Sequence, residues 1–255
     1  MSHITLNCEE IIQTLKRSNL PTVLVEGKDD LKIFNKIERK INLSHQVSIF
    51  PCFGKKTLLN VYDKRNEIAN INLLFIADKD GWVFSTIPSK YNDIEFTKGY
   101  CMENDLFEDG YKLMISIINL ESKTFYKIIS SISSWFAYLV DKNGLTNGDK
   151  IDLSNISINN PNIMKKGSYI LEEAFITSNG YFETPLSLSR DIFSNYVLKL
   201  KGKFIFQAFE KIVVEKKITK YNTDILLDLC FVTGTSDGAN GTNMKRYIDK
   251  ILAII

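Results

Sequence analysis

Three carboxylates stand where a sheet could do chemistry with them. Glu26 closes the run Thr22-Val23-Leu24-Val25 and is followed by Gly27, Lys28, Asp29 and Asp30. Asp78 closes the run Leu73-Leu74-Phe75-Ile76-Ala77 and is followed by Lys79, Asp80 and Gly81. Short apolar, β-branched runs that end in a glycine turn read as buried strands. A carboxylate at the carboxyl end of a parallel strand lies where open α/β sheets place their ligands. If the two strands are neighbours, Glu26, Asp78 and Asp80 converge at one edge of the sheet. Carboxylates crowded in this way do not all ionise without a compensating cation. An all-oxygen donor set suits Mg²⁺ or Mn²⁺.

The surrounding pattern supplies the elements needed to hold them. Asn7 followed by Glu10 is a capping box, and Ile11, Ile12 and Leu15 give a short helix that stops before Pro21. After Asp29, the residues Leu31, Phe34, Ile37 and Ile41 recur at helical spacing. Residues 46–51 make a second strand, Leu58 to Ile68 a second helix and residues 72–78 a third strand. Helices of about ten residues between strands imply βαβ units and a parallel sheet. Beyond Trp82, residues 94–97 and 99–102 read as short strands, the second running into Glu103 and Asn104. From Tyr111 the chain reads as helical, with an apolar stripe Phe125, Ile128, Ile129, Ile132, Phe136 and Leu139. Residues 141–150, 155–162 and 233–242 read as loops. Residues 187–200, 203–217, 224–232 and 243–255 read as helices, the third of them buried. The fold class expected is α/β, a Rossmann-like parallel sheet flanked by helices, with a mainly α-helical C-terminal half. The expected division is a sheet domain over 1–110 and a helical region over 111–255.

Composition excludes several other chemistries. The chain has 255 residues, 44% apolar and 24% charged, with a net charge of +2. No apolar run is long enough to span a bilayer, and the amino-terminal residues lack a basic region followed by an apolar block, so a cytoplasmic protein without membrane contact is expected. The four cysteines (Cys8, Cys52, Cys101 and Cys230) form no CxxC pair, and the only histidines are His3 and His45. A zinc site and histidine-based nucleophilic catalysis are therefore not expected. Positive charge is concentrated late in the chain: the stretch from Lys199 to Lys220 holds seven lysines against Glu210 and Glu215. A basic strip beside an acidic metal pocket is what a phosphodiester substrate needs, although the strip alone reads equally as a solvated helix face.

Val25-Glu26-Gly27-Lys28-Asp29-Asp30, followed some fifty residues later by Asp78-Lys79-Asp80, resembles the Toprim signature. Toprim domains serve topoisomerases, primases, ribosomal-RNA maturases and OLD-family nucleases. The resemblance covers residues 20 to about 110. The segment from Lys98 to Phe107, with Glu103-Asn104-Asp105-Leu106, resembles OLD-like nucleases and a related domain family of unknown function. Leu200-Lys201-Gly202-Lys203 resembles the Gly-Lys segment of that related family. Length and segment order are similar to the Toprim effectors of the PARIS anti-phage systems. The resemblance implies a metal-dependent nuclease that an ABC-type ATPase partner restrains and that cleaves host tRNA once released.

The expected roles follow residue by residue. Glu26 is a metal ligand or general base, Asp78 and Asp80 hold Mg²⁺, and Asp30 reaches the same ion from the first turn of its helix. Gly27 allows a tight turn and a close backbone approach. Glu103 is a candidate ligand for a second metal, with helix capping as the competing role. Lys203, placed by Gly202 at the start of a helix, stabilises charge on the phosphate. Trp82 and Trp135 are expected in the core. The working unit is expected to be a homodimer or to be docked on the ATPase. The alternatives are a DNA-nicking OLD-like nuclease and a non-catalytic Toprim-like binding module.

Overall fold

A computed structural model describes residues 5–41, 45–68, 70–144, 151, 153, 155–181, 186–218, 221–236, 238 and 241–255. In chain order, the first elements are α1 (Cys8–Leu15), β1 (Thr22–Val25), α2 (Lys28–Ile41), β2 (Ser48–Pro51), α3 (Lys55–Asp63), β3 (Leu73–Ala77) and β4 (Glu95–Phe96). Helices follow: α4 (Met102–Ile118), α5 (Ser122–Asn143), α6 (Glu173–Ser178), α7 (Leu186–Ser194), α8 (Tyr196–Lys199), α9 (Gly202–Glu215), α10 (Thr223–Gly234) and α11 (Asn243–Leu252). The protein is α/β, with a parallel four-stranded sheet flanked by helices and a helical C-terminal half, as the sequence pattern predicts.

The chain folds as two compact units, one of Met1–Asp78, Pro88–Thr97 and Met244–Ile255, the other of Lys79–Ile87 and Lys98–Asn243. These do not follow a cut at residue 110. The last helix belongs with the sheet, because Tyr247 meets Phe34 edge-on at 5.8 Å and Arg246 pairs with Glu95 at 2.6 Å. Gly110 is no boundary either, since it lies inside α4.

In the first unit the strands are ordered β2-β1-β3-β4, all parallel. All four residues of β1 are buried, which a central strand covered on both faces requires. The capping box on α1 is formed, with Asn7 Oδ1 accepting from Glu10 N and Asn7 N donating to Glu10 Oε2. In the second unit, α4, α5 and α9 meet around an aromatic core: Phe125 and Phe209 lie 4.4 Å apart, and Phe107 touches Phe206 at 5.9 Å. Trp135 is buried against Phe175 and Phe204, and Trp82 is buried too, so both tryptophans are core as expected.

Three local expectations are corrected. Residues 99–102 do not form a strand. Two of their backbone donors are taken by side chains, with Gly99 N donating to Asp105 Oδ1 at 2.8 Å and Cys101 N to Asn104 Oδ1 at 3.1 Å, while Tyr100 N donates to the distant Leu198 O at 2.7 Å, and helix α4 starts at Met102. The helix expected over 187–200 divides at Asn195, whose φ of −115° and ψ of 29° leave the helical region. The helix near 224–232 is not buried all round, since Ile225 is 42% and Val232 64% exposed. Of the loops expected over 141–150 and 233–242, residues 145–150, 237 and 239–240 lie outside the described residues.

Candidate functional site

In the first unit, Glu26 directly follows β1 and Asp78 directly follows β3. Val25 pairs with Ile76 across the two strands, so both carboxylates leave adjacent strands at the carboxyl edge of the sheet, Asp78 one residue beyond the level of Glu26. Glu26 is 6% exposed and Asp78 9%, and Glu26 Oε2 is closed off from solvent. Carboxylates at this depth are costly unless donors or a cation compensate them. Asp30 lies one turn into α2, and its Oδ2 accepts from Gly27 N at 2.8 Å. Asp30 therefore fastens the turn that follows Glu26, whatever else it holds. Gly27 is not needed for that turn: a Cβ there would meet only Asp30 Oδ2, at an ordinary 3.8 Å.

The neighbouring loop after β2 was not singled out in the sequence, and it also borders Glu26. Cys52 N continues the ladder to Val25 O at 2.8 Å, and Gly54 N donates to Glu26 O at 2.7 Å. Phe53 and Gly54 both take positive φ, 59° and 129°. Lys28 reaches over the Phe53 ring at 5.7 Å. The only sequence signal was an apolar strand ending in Pro51 with a glycine shortly after.

Burial drives the Cys52 thiol well above the usual cysteine range, and the nearby charges of Cys8 and Glu26 add to this. Burial likewise pushes Cys230 up from 9.0 to about 12. Cys101 is buried as well, which leaves Cys8 the most accessible thiol. A thiol that stays protonated and enclosed is unreactive. Titration with a disulfide reagent at pH 8 should therefore label Cys8 in the native protein and the other three only in denaturant. Because the folded state holds these protons more tightly, stability should fall as pH rises past 9.0, where the unfolded thiols ionise first. Four equally fast native thiols would contradict this packing.

In the second unit, Asp80 opens a short 3-10 turn, Asp80–Phe84, with φ at 46°. A left-handed aspartate is uncommon and is held here by its surroundings. Its N–H donates to Tyr100 O at 2.8 Å, the residue is 1% exposed, and Oδ1 is closed off from solvent. Glu103 stands in the first turn of α4, half-buried. Lys203 stands in the first turn of α9, as the sequence predicts, and its ammonium donates to Leu153 O at 3.1 Å. Gly202 begins that helix because of a close approach: a Cβ there would lie 2.6 Å from Glu103 Cβ and 2.9 Å from Asn104 N.

Among the described lysines of the stretch from Lys199 to Lys220, ion pairs hold Lys199, Lys211 and Lys216. Lys199 pairs with Asp191 at 2.5 Å and Lys216 with Glu121 at 3.5 Å. Lys211 is buried, donating to Met164 O at 2.9 Å and pairing with Glu215 at 3.1 Å. Lys79 donates to Lys98 O at 3.0 Å. Lys220 lies outside the described residues.

Of the residues singled out in the sequence, Glu26, Asp30 and Asp78 thus belong to one unit, and Asp80, Glu103 and Lys203 to the other. The carboxylate donors are all hard oxygens, which fits Mg²⁺ or Mn²⁺ rather than zinc. Among the described residues, no three His, Cys, Asp or Glu side chains are grouped closely enough to hold one ion. No described helix is long and apolar enough to cross a membrane. No family model matches the chain, and no curated protein matches it.

Proposed function

We propose that the chain is a divalent-metal-dependent phosphodiester hydrolase, an endonuclease acting on RNA. The observation that carries this reading is the pair of buried carboxylates, Glu26 and Asp78, at the carboxyl ends of adjacent parallel strands. Glu26, Asp30 and Asp78 would offer oxygen ligands from the first unit, and the resemblance assigns the same role to Asp80 and Glu103 of the second. When bound, the ion supplies Lewis-acid charge neutralisation at the phosphate. Water adds to phosphorus, the P–O ester bond breaks, and Glu26 accepts the proton that the water releases. The resemblance gives Lys203, whose ammonium donates to Leu153 O within the second unit, the role of offering positive charge to a phosphate.

The resemblance supports the finer parts of the proposal: tRNA as substrate, an ABC-type ATPase as restraining partner, a defence role in the cytoplasm and a homodimer as the active form. The second unit also exposes the apolar side chains of Val214, Ile218, Ile225 and Val232.

The deciding experiment incubates the protein with bulk tRNA and with supercoiled plasmid, in Mg²⁺, Mn²⁺, Zn²⁺ or EDTA. Cleavage of tRNA in Mg²⁺ or Mn²⁺ alone is expected. Nicking of plasmid instead would move the substrate to DNA. Full activity in EDTA would sink the metal-dependent reading.

A further inference from the structure

We infer that Asn104 is the positioning residue of the second unit, fixing Glu103, Lys203 and Asp80 relative to one another; this rests on the hydrolase reading above. Asn104 is fully buried. Its Oδ1 accepts from Cys101 N at 3.1 Å, from Gly202 N at 3.1 Å and from the Cys101 thiol at 3.0 Å. Its Nδ2 donates to Val197 O and to Leu200 O, both at 2.7 Å. Two N–H donors on one side and two carbonyls on the other fix the orientation of the amide.

Helix capping does not account for this arrangement. A residue at this position of a helix needs one bond to the cap, and the bond to Cys101 N supplies it. The remaining backbone bonds reach Val197, Leu200 and Gly202, almost a hundred residues on, and tie the start of α4 to the start of α9. Glu103 immediately precedes Asn104, and Lys203 immediately follows Gly202. Asp80 hangs from the same knot, since its N–H donates to Tyr100 O at 2.8 Å while Tyr100 N donates to Leu198 O at 2.7 Å. Asp105, also fully buried, steadies the approach by accepting from Lys98 N at 3.0 Å and Gly99 N at 2.8 Å. Space for Asn104 exists because two neighbours lack side chains: a Cβ at Gly99 would lie 2.5 Å from Asn104 Cβ, and one at Gly202 would lie 2.9 Å from its backbone nitrogen.

Groups that orient ligands or catalytic side chains from behind typically cost about 10–100-fold in metal affinity or activity when lost. The test uses Asn104→Ser, which keeps one small hydroxyl, and Asn104→Asp, which keeps the shape but turns the donor into an acceptor facing two carbonyls. Phe209→Leu, in the aromatic core of the same unit, serves as a control of similar stability loss. Mn²⁺ affinity is read by calorimetry alongside steady-state cleavage. Asn104→Ser should lower kcat and Mn²⁺ affinity by about 10–100-fold with KM little changed, while Phe209→Leu keeps both. Should one Asn104 variant fail to fold, the other carries the comparison. Losses equal to those of Phe209→Leu would overturn the positioning role and leave Asn104 a packing residue. Wild-type protein that binds Mn²⁺ without cutting still allows the affinity comparison. Wild-type protein that neither binds Mn²⁺ nor cuts removes the hydrolase reading itself, and this role with it.

Discussion

Glutamine in place of Glu26 should abolish cleavage while leaving the protein folded. The substitution keeps the shape of a side chain that is 6% exposed at the end of β1, so no cavity forms. It removes the negative charge, and with it both a metal ligand and the proton acceptor. Loss of a positioned base costs about 10²–10⁴-fold, and a weakened metal site adds to that, so cleavage should fall below detection. Stability should move the other way. Asp78 is buried at the end of the neighbouring strand, and replacing the buried Glu26 carboxylate with a neutral amide lowers the desolvation cost at that sheet edge. In metal-free buffer the Tm of the glutamine variant should equal or exceed that of the wild type. Adding Mn²⁺ should raise the wild-type Tm, because an ion bound only by the folded state stabilises it, and should do little for the variant. A glutamine variant that cuts at the wild-type rate would remove Glu26 from the site.

Alanine at Gly110 should destabilise the second unit strongly. Gly110 is buried inside α4, where α4 crosses α10. A Cβ there would lie 2.8 Å from Cys230 Cβ and 2.9 Å from Cys230 Cα, and nearer still to Cys230 Sγ. Two of those atoms are fixed to the α10 backbone, so the helices must separate to admit the methyl. Overpacking of this kind costs about 1–3 kcal/mol, and a helix displacement places this site at or above the upper end. Alanine's better helix propensity returns only about 1 kcal/mol. Chemical denaturation should show the loss directly. Cys230→Ala in the same molecule removes only the nearest of the three atoms, so it should restore part of the stability and not all of it. A Gly110→Ala protein as stable as wild type would mean that the helices do not cross this closely.

The sheet was legible because its signals are local. Val25 and Ala77 end apolar runs of strand length, glycine-bearing turns follow, and helical periodicity separates the runs. Parallel strands with connecting helices then place Glu26 and Asp78 at one edge, and the observed pairing of β1 with β3 is the arrangement those signals imply. The Asn7 capping box was legible for the same reason, since its partners lie three residues apart. The start of α9 near Gly202 was readable too, but not the cause of that glycine.

Tertiary structure alone decided the rest, because the partners are distant in sequence. Gly110 looks like a break between regions, yet it is the point where α4 admits α10, and only Cys230 explains it. The seven lysines look like one basic strip, yet Lys199, Lys216 and Lys211 are bound to three different partners, Asp191, Glu121 and the carbonyl of Met164. Glu103-Asn104-Asp105 looks like a ligand segment or a cap. The fold makes Asn104 and Asp105 structural, because their bonds satisfy backbone groups that burial would otherwise leave without water. Residue type and spacing thus determined which carboxylates end the strands. Which polar side chains hold the framework was decided by long-range packing, where each buried donor and acceptor must find a partner that sequence order does not reveal.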